Sequence, residues 1–261
     1  MKRQREENDA SKSELEFKRS LLALEKKINK NTDLRIRHAS EPSKFLESEA
    51  ELNEQLKSLF SLSTTPYLYP SFISMGGLKS CLELLIHENS DISITVLDLL
   101  VELIDSDVAI GFEDQEAVLA NVNSLLSAIV DSKESIGLLI STLLKFNSSS
   151  IDEDIEGIQS FFTLMENLLD ISPSSVVPFC RFQDHQSSLL HVLVHRILKT
   201  ESSPLRTSAS ELLSSILHDL PELVETFASN TYELPSVNPS ANASSIVSSG
   251  KCIEALLVTL N

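Results

Sequence analysis

Residues 77–104 read GLKSCLELLIHENSDISITVLDLLVELI: an apolar helical run, a polar break at His87-Glu88-Asn89-Ser90, and a second, longer apolar run. The same order returns at 136–169, IGLLISTLLKFNSSSIDEDIEGIQSFFTLMENLL, and at 188–217, SLLHVLVHRILKTESSPLRTSASELLSSIL. Apolar residues three and four apart lay a stripe along one helix face. Ser and Asn in the breaks supply oxygens that cap the following helix. Such a pair cannot bury a whole apolar face alone, so units repeated in this way predict an α-solenoid with a continuous core. At 250–260, GKCIEALLVTL has the form of one more opening helix before the sequence stops. Ile253, Leu256, Leu257 and Leu260 then present an apolar face with no following unit. That face is expected to mark a fragment of a longer solenoid or a surface for self-association.

Helical runs are expected at about 14–30, from Pro42 or Ser43 through Phe60, 66–74, 78–87, 91–106, 114–130, 134–146, 151–171, 174–180, 186–199, 204–217 and 220–229. Phe17, Leu21, Leu24 and Ile28 give the first run its stripe, Pro42 suits a first helical turn, and Gly76-Gly77 breaks the chain before the first full unit. No run alternates with period two, so strands are not expected, and the Ser-, Pro- and Asn-rich stretch 231–249 reads as a loop. The expected organisation is a flexible, basic-tipped tail, 1–41, carrying the helix 14–30, followed by a repeat domain at 42–261.

The chain has 261 residues with 21 Lys+Arg against 38 Asp+Glu, a net charge of −17 that is unevenly spread. Residues 1–50 are slightly basic, whereas 51–261 hold 9 basic and 28 acidic side chains. Nucleic-acid affinity comes largely from Lys and Arg displacing phosphate counterions, so direct binding of DNA or RNA by this body is not expected. A basic peptide or protein surface is the natural partner, and the competing account is acidity kept for solubility alone. Three widely spaced cysteines, Cys81, Cys180 and Cys252, do not make a disulfide framework. No apolar stretch reaches membrane-spanning length, and the charged start MKRQREENDA lacks the apolar core of a secretory signal. The chain therefore reads as a soluble intracellular protein.

Signatures of catalysis and of metal or cofactor binding fail in turn. His191 and His195 stand four apart in HVLVH, without the Glu of a zinc-protease helix. There is no CxxC pair, no GxSxG elbow, and Ser249-Gly250-Lys251-Cys252 lacks most of a phosphate-binding loop. No enzyme and no cofactor are expected. Met1-Lys2-Arg3-Gln4-Arg5 is a compact basic start of nuclear-localisation type, with Lys2, Arg3 and Arg5 as its cations. Arg37-His38-Ala39-Ser40 fits a basophilic kinase site weakly, and Asn242-Ala243-Ser244 matches a glycosylation pattern that an intracellular protein leaves unused.

Two stretches carry a family resemblance: Asn31-TDLRIRHASEPSKFLESEAELNEQL and Gly77-LKSCLELLIHENSDISITVLDLLVELID. The first is similar to a run of the form "LRI…P.KF..SE..LN" and the second to "LL.H.N.D.SI.V.DLL.EL.D". Met165-Glu166-Asn167-Leu168 adds a shorter match. Together they resemble the N-terminal half of the beta-catenin-like protein 1 family, nuclear armadillo-repeat proteins associated with the spliceosome. The resemblance implies an all-α, armadillo/HEAT-like right-handed superhelix of three to four repeats with N-terminal capping helices. It also implies a non-enzymatic nuclear scaffold in pre-mRNA splicing, attached to the nineteen complex through its Myb-related core subunit and recognising basic segments of splicing factors. An import-type adaptor for nuclear localisation peptides is the alternative.

Within that frame, Asp91, Thr95, Asp98, Glu102 and Asp105 form one polar stripe, and Asp152, Glu156, Gln159, Thr163, Glu166 and Asp170 form another. Because the corresponding helix of armadillo proteins lines a concave groove, the expected partner-binding residues are Asp98, Glu102, Asp105, Glu156, Glu166 and Asn167. Glu102, Asn167 and Ser215 occupy equivalent repeat positions. Import receptors use Asn there beside Trp, whereas here only Asn167 matches and Trp is absent.

Overall fold

The computed structural model describes residues 2–146, 152–182, 188–199, 203–229, 232–233 and 246–247. The chain divides into two compact units, Met1–Ala128 and Ile129–Asn261.

The first unit begins with α1 (Lys2–Arg37), a 3-10 turn at Pro42–Lys44 and α2 (Leu46–Ser58). Further 3-10 turns at Leu59–Thr64 and Pro66–Leu68 lead to α3 (Tyr69–Ser74), α4 (Gly77–Leu84) and α5 (Ser90–Leu103). A 3-10 turn at Ser106–Ala109 precedes α6 (Gln115–Val130), whose last two residues fall past the unit boundary at Ala128. The expected tail helix is thus longer than 14–30, and it is docked on α2 rather than free. Phe17, Leu21 and Leu24 are buried, and Phe17 meets Phe72 edge-on with ring centroids 6.3 Å apart. Gly76, at φ +79, takes a left-handed turn that a side chain disfavours. Gly77 is needed for contact instead, since a Cβ there would lie 2.6 Å from the Phe72 ring and 2.8 Å from Leu21. At the centre lies α5, which packs against α2, α4 and the 59–64 turn and buries Ile92, Val96, Leu97, Leu99, Leu100 and Leu103. At about 25 cal/mol per Å² of apolar area, burial of this kind is the main term favouring the fold.

The second unit contains α7 (Lys133–Lys145), α8 (Asp152–Ile171), a 3-10 turn at Pro173–Val176, α9 (Val177–Cys180), α10 (Leu189–Lys199), α11 (Ser203–Asp219) and α12 (Glu222–Ser229). Ser132 caps α7 by accepting the Ser135 N–H at 3.2 Å. Its helices pack as pairs, α8 on α11 and α10 on α11. Phe161, Phe162, Met165 and Leu168 of α8 lie in the core with Leu212 and Ile216 of α11.

The architecture is all-α, as the periodicity predicts, with one departure. Tyr232 pairs with Val247 and Glu233 with Ile246 in a two-residue antiparallel bridge inside the stretch expected to be loop. Two residues are too few for alternation to register in a sequence. Ile253, Leu256, Leu257 and Leu260, together with Asn242-Ala243-Ser244, lie outside the described residues. Among the described residues, no helix is long and apolar enough to cross a membrane.

Candidate partner-binding surfaces

On α8 the expected stripe is described from Glu156 onward, the Asp152 side chain lying outside the described residues. Glu156, Gln159, Thr163, Glu166 and Asp170 are all exposed, opposite the buried face of Ile158, Phe161, Phe162 and Met165. Asn167 sits beside the stripe, half-buried and engaged with a neighbour. The α8–α11 packing adds a carboxylate the sequence pattern does not show, Glu211. Partial desolvation first, then the like charges of Glu211 and Asp170, hold the Glu166 carboxyl above its ordinary range. A positive charge beside Glu166 would relieve the repulsion from Glu211 and Asp170, so this face favours a nearby cation.

On α5 the stripe is shorter than expected. Asp91 and Glu102 are exposed and Asp98 is half-buried with partners of its own, but Thr95 is buried at 7% exposure. The helix also ends at Leu103 rather than 106, so Asp105 has left the helical face. Its carboxylate accepts the Asp107 N–H at 2.8 Å and caps the 3-10 turn, a local bond that Asp forms readily just after a helix. Beneath Glu102, the Tyr69 hydroxyl is buried and has no hydrogen-bond partner among the described residues. Burial first, and then the Glu102 charge, hold this phenol above its usual range.

The α5 residues belong to the first unit, and Glu156, Glu166 and Asn167 belong to the second. Lys2, Arg3 and Arg5 fall in the first turns of α1.

A second arrangement joins the two motifs that carry the resemblance. Asn31 is buried on α1 and donates from Nδ2 to Ser48 Oγ at 2.9 Å, which in turn donates to the Phe45 carbonyl at 2.7 Å. His87 Nδ1 accepts the Asn89 N–H at 3.0 Å, so Nε2 carries the proton and donates to Asn31 Oδ1 at 3.1 Å. Asn89 caps α5 by accepting the Asp91 N–H at 2.9 Å, and donates from Nδ2 to Glu49 Oε2 at 3.0 Å. Arg35 pairs with Glu49 and Glu88 while its guanidinium lies 4.6 Å over the Phe45 ring. This clamp fixes α1 and α2 to the start of α5. Periodicity alone misses it, because its members are polar and come from three distant segments.

Cys81 and Cys180 are buried thiols, each pushed up to about 12 by burial, which leaves them poor nucleophiles. Among the described residues, no group of His, Cys, Asp and Glu is placed to hold a metal ion.

A family model described as "Catenin-beta-like, Arm-motif containing nuclear" matches residues 1–239. The beta-catenin-like protein 1 homolog of Schizosaccharomyces pombe is 38% identical over 214 residues, covering 81% of this chain and 35% of that protein. Beta-catenin-like protein 1 of Homo sapiens is 31% identical over 207 residues, covering 79% of this chain and 34% of that protein, and the protein of Mus musculus matches at 31% over the same shares. The chain therefore spans about a third of the length of these relatives.

Proposed function

The chain belongs to the catenin-beta-like family of Arm-motif nuclear proteins, and from that premise we propose that it is a non-enzymatic protein–protein interaction scaffold of the nucleus. Its partners are Lys/Arg-rich segments of splicing factors, among them the Myb-related core subunit of the nineteen complex, and its process is pre-mRNA splicing. The observation that carries this reading is the exposed acidic face of α8, where Glu156, Glu166 and Asp170 line one side of a helix and Glu211 adds its charge from α11. Such a face attracts basic segments over a Debye length of about 8 Å and speeds their encounter. Each exposed pair contributes only about 0.2–1 kcal/mol, so affinity is built from several pairs together with backbone contacts.

Affinity purification with the tagged chain from nuclear extract, read by mass spectrometry, tests the biological assignment. Recovery of nineteen-complex subunits supports the splicing scaffold. Recovery of transport factors with localisation-signal cargo in their place supports the import-type adaptor.

A further inference from the structure

The turn joining α1 to α2 lies apart from the acidic faces. From Ile36 to Lys44 no side chain is buried, and Ile36 is 75% exposed although it is apolar. The segment hangs between two anchors, Arg35 in the clamp and the buried Phe45. Backbone hydrogen bonds give it its shape. The His38 N–H donates to the Leu34 carbonyl at 2.9 Å, the Glu41 N–H to the His38 carbonyl at 2.8 Å, and the Lys44 N–H to the Glu41 carbonyl at 3.0 Å. Exposed bonds of this kind exchange readily for water, and opening them uncovers no core surface. The turn can therefore unwind while both anchors hold.

Ser40 is exposed within this segment, and Arg37 stands three residues ahead of it. No other Ser or Thr of the chain has an arginine at that spacing. The Arg37 guanidinium pairs with Asp33, but both side chains are exposed, and such a pair is worth little in water. Arg35, five residues ahead of Ser40, is held by Glu49 and lies over Phe45, so recognition falls to Arg37. Charge points the same way. Between residues 35 and 44 Arg35, Arg37 and Lys44 stand against Glu41 alone, a basic spot on a chain of net charge −17. A phosphate is welcome here and repelled by most of the rest of the surface.

From this placement we infer that Ser40 is a phosphorylation site for an arginine-directed protein kinase that reads Arg37 on the opened turn. ATP is the donor. The Ser40 Oγ attacks the γ-phosphorus, the bond to the β-phosphate oxygen breaks, ADP leaves, and the hydroxyl proton passes to the catalytic carboxylate of the kinase. The new group carries a charge of about −1.5 to −2 at pH 7. It has Arg37 three residues back and Lys44 four residues on, and it draws them from Asp33 and Glu41, because charge-assisted bonds to phosphate are strong. The phosphate thereby ties the end of α1 to the turn that leads into α2.

The test incubates the tagged full chain with nuclear extract, magnesium and ATP, and maps phosphate by mass spectrometry. Phosphate is expected on Ser40, lowered about tenfold in Arg37→Ala, which removes one charge-assisted contact to the kinase. Ser43→Ala is expected to leave Ser40 phosphorylation unchanged. Both substitutions fall on exposed side chains, and circular dichroism checks that helix content is kept. Hydrogen exchange then reads the consequence: amides of residues 38–45 should exchange at least about threefold more slowly in the phosphorylated chain, and phosphatase treatment should reverse this. Absence of phosphate from Ser40, or equal incorporation in Arg37→Ala, overturns the site. Phosphate on Ser40 with unchanged exchange supports the site and overturns the tie between α1 and α2.

Discussion

Replacing Arg35 by Ala tests whether the clamp between α1, α2 and α5 holds the first unit together. Glu49 is 7% exposed and Arg35 18%, so removing the guanidinium strands a nearly buried carboxylate. Breaking a buried ion pair from one side costs about 3–5 kcal/mol. Two features lower that figure here: Arg35 keeps some solvent contact, and Glu49 keeps its hydrogen bond from Asn89. Loss of the cation over Phe45 adds about 0.5–1 kcal/mol. The pair with Glu88 adds little, because Glu88 is 85% exposed. The expected cost is about 2–3 kcal/mol, and hydrogen exchange is the appropriate assay because a chain of two units need not unfold in one step. Amides of α1 and α2 should then lose protection by roughly 30- to 150-fold, with α8 and α11 unaffected. Glu49→Gln alone should cost less, and the double variant Arg35→Ala/Glu49→Gln should recover about 1–2 kcal/mol of coupling. A cost below about 0.5 kcal/mol, or strict additivity of the two changes, would refute the claim that this pair fastens α1.

Two further outcomes are expected. Glu166 has its pKa raised in the folded chain, so its ionised form opposes folding: its contribution to stability is present at low pH and is lost as pH rises through the raised value. Glu166→Gln should therefore stabilise the chain at pH 7 by at most a few tenths of a kcal/mol after solvent screening, and the gain should vanish near pH 4; equal melting curves at both pH values would contradict this. In α8, a Cβ at Gly157 would lie 2.6 Å from the ring of Phe146, which is 1% exposed. Gly157→Ala should cost about 1–2 kcal/mol despite its better helix propensity, measured as a lowered melting temperature, and an unchanged or raised one would show that the ring moves aside freely.

Helix positions were legible because core faces repeat at helical spacing: α6 and α8 begin and end within a residue of the expected 114–130 and 151–171. The α8 stripe was legible for the same reason, being one face of one helix. Three things were not. The end of α5 was overrun, since the pattern carried on to Asp105 although that carboxylate prefers to cap the next turn. Thr95 fits the polar spacing, yet α5 is so enclosed that this position is buried. The ends of α1 lack an apolar period, and what holds its C-terminal part is Asn31 and Arg35 reaching polar partners 14 to 56 residues away. Glu211 is likewise brought to the α8 face by tertiary packing, invisible to spacing along a single segment.

The central claim, that acidic faces of this scaffold receive a basic segment, is tested most directly by titrating a Lys/Arg-rich peptide into the parent chain and into Asp98→Lys/Glu102→Lys/Glu166→Lys at low and physiological salt. The account predicts that parent binding weakens as salt shortens the Debye length to about 8 Å. It also predicts that the triple variant binds more slowly and more weakly with helix content unchanged, while reversal of Glu6, Glu7 and Asp9 has little effect. Binding by the triple variant equal to the parent, or parent binding indifferent to salt, would mean that the acidity serves solubility alone and would contradict the account.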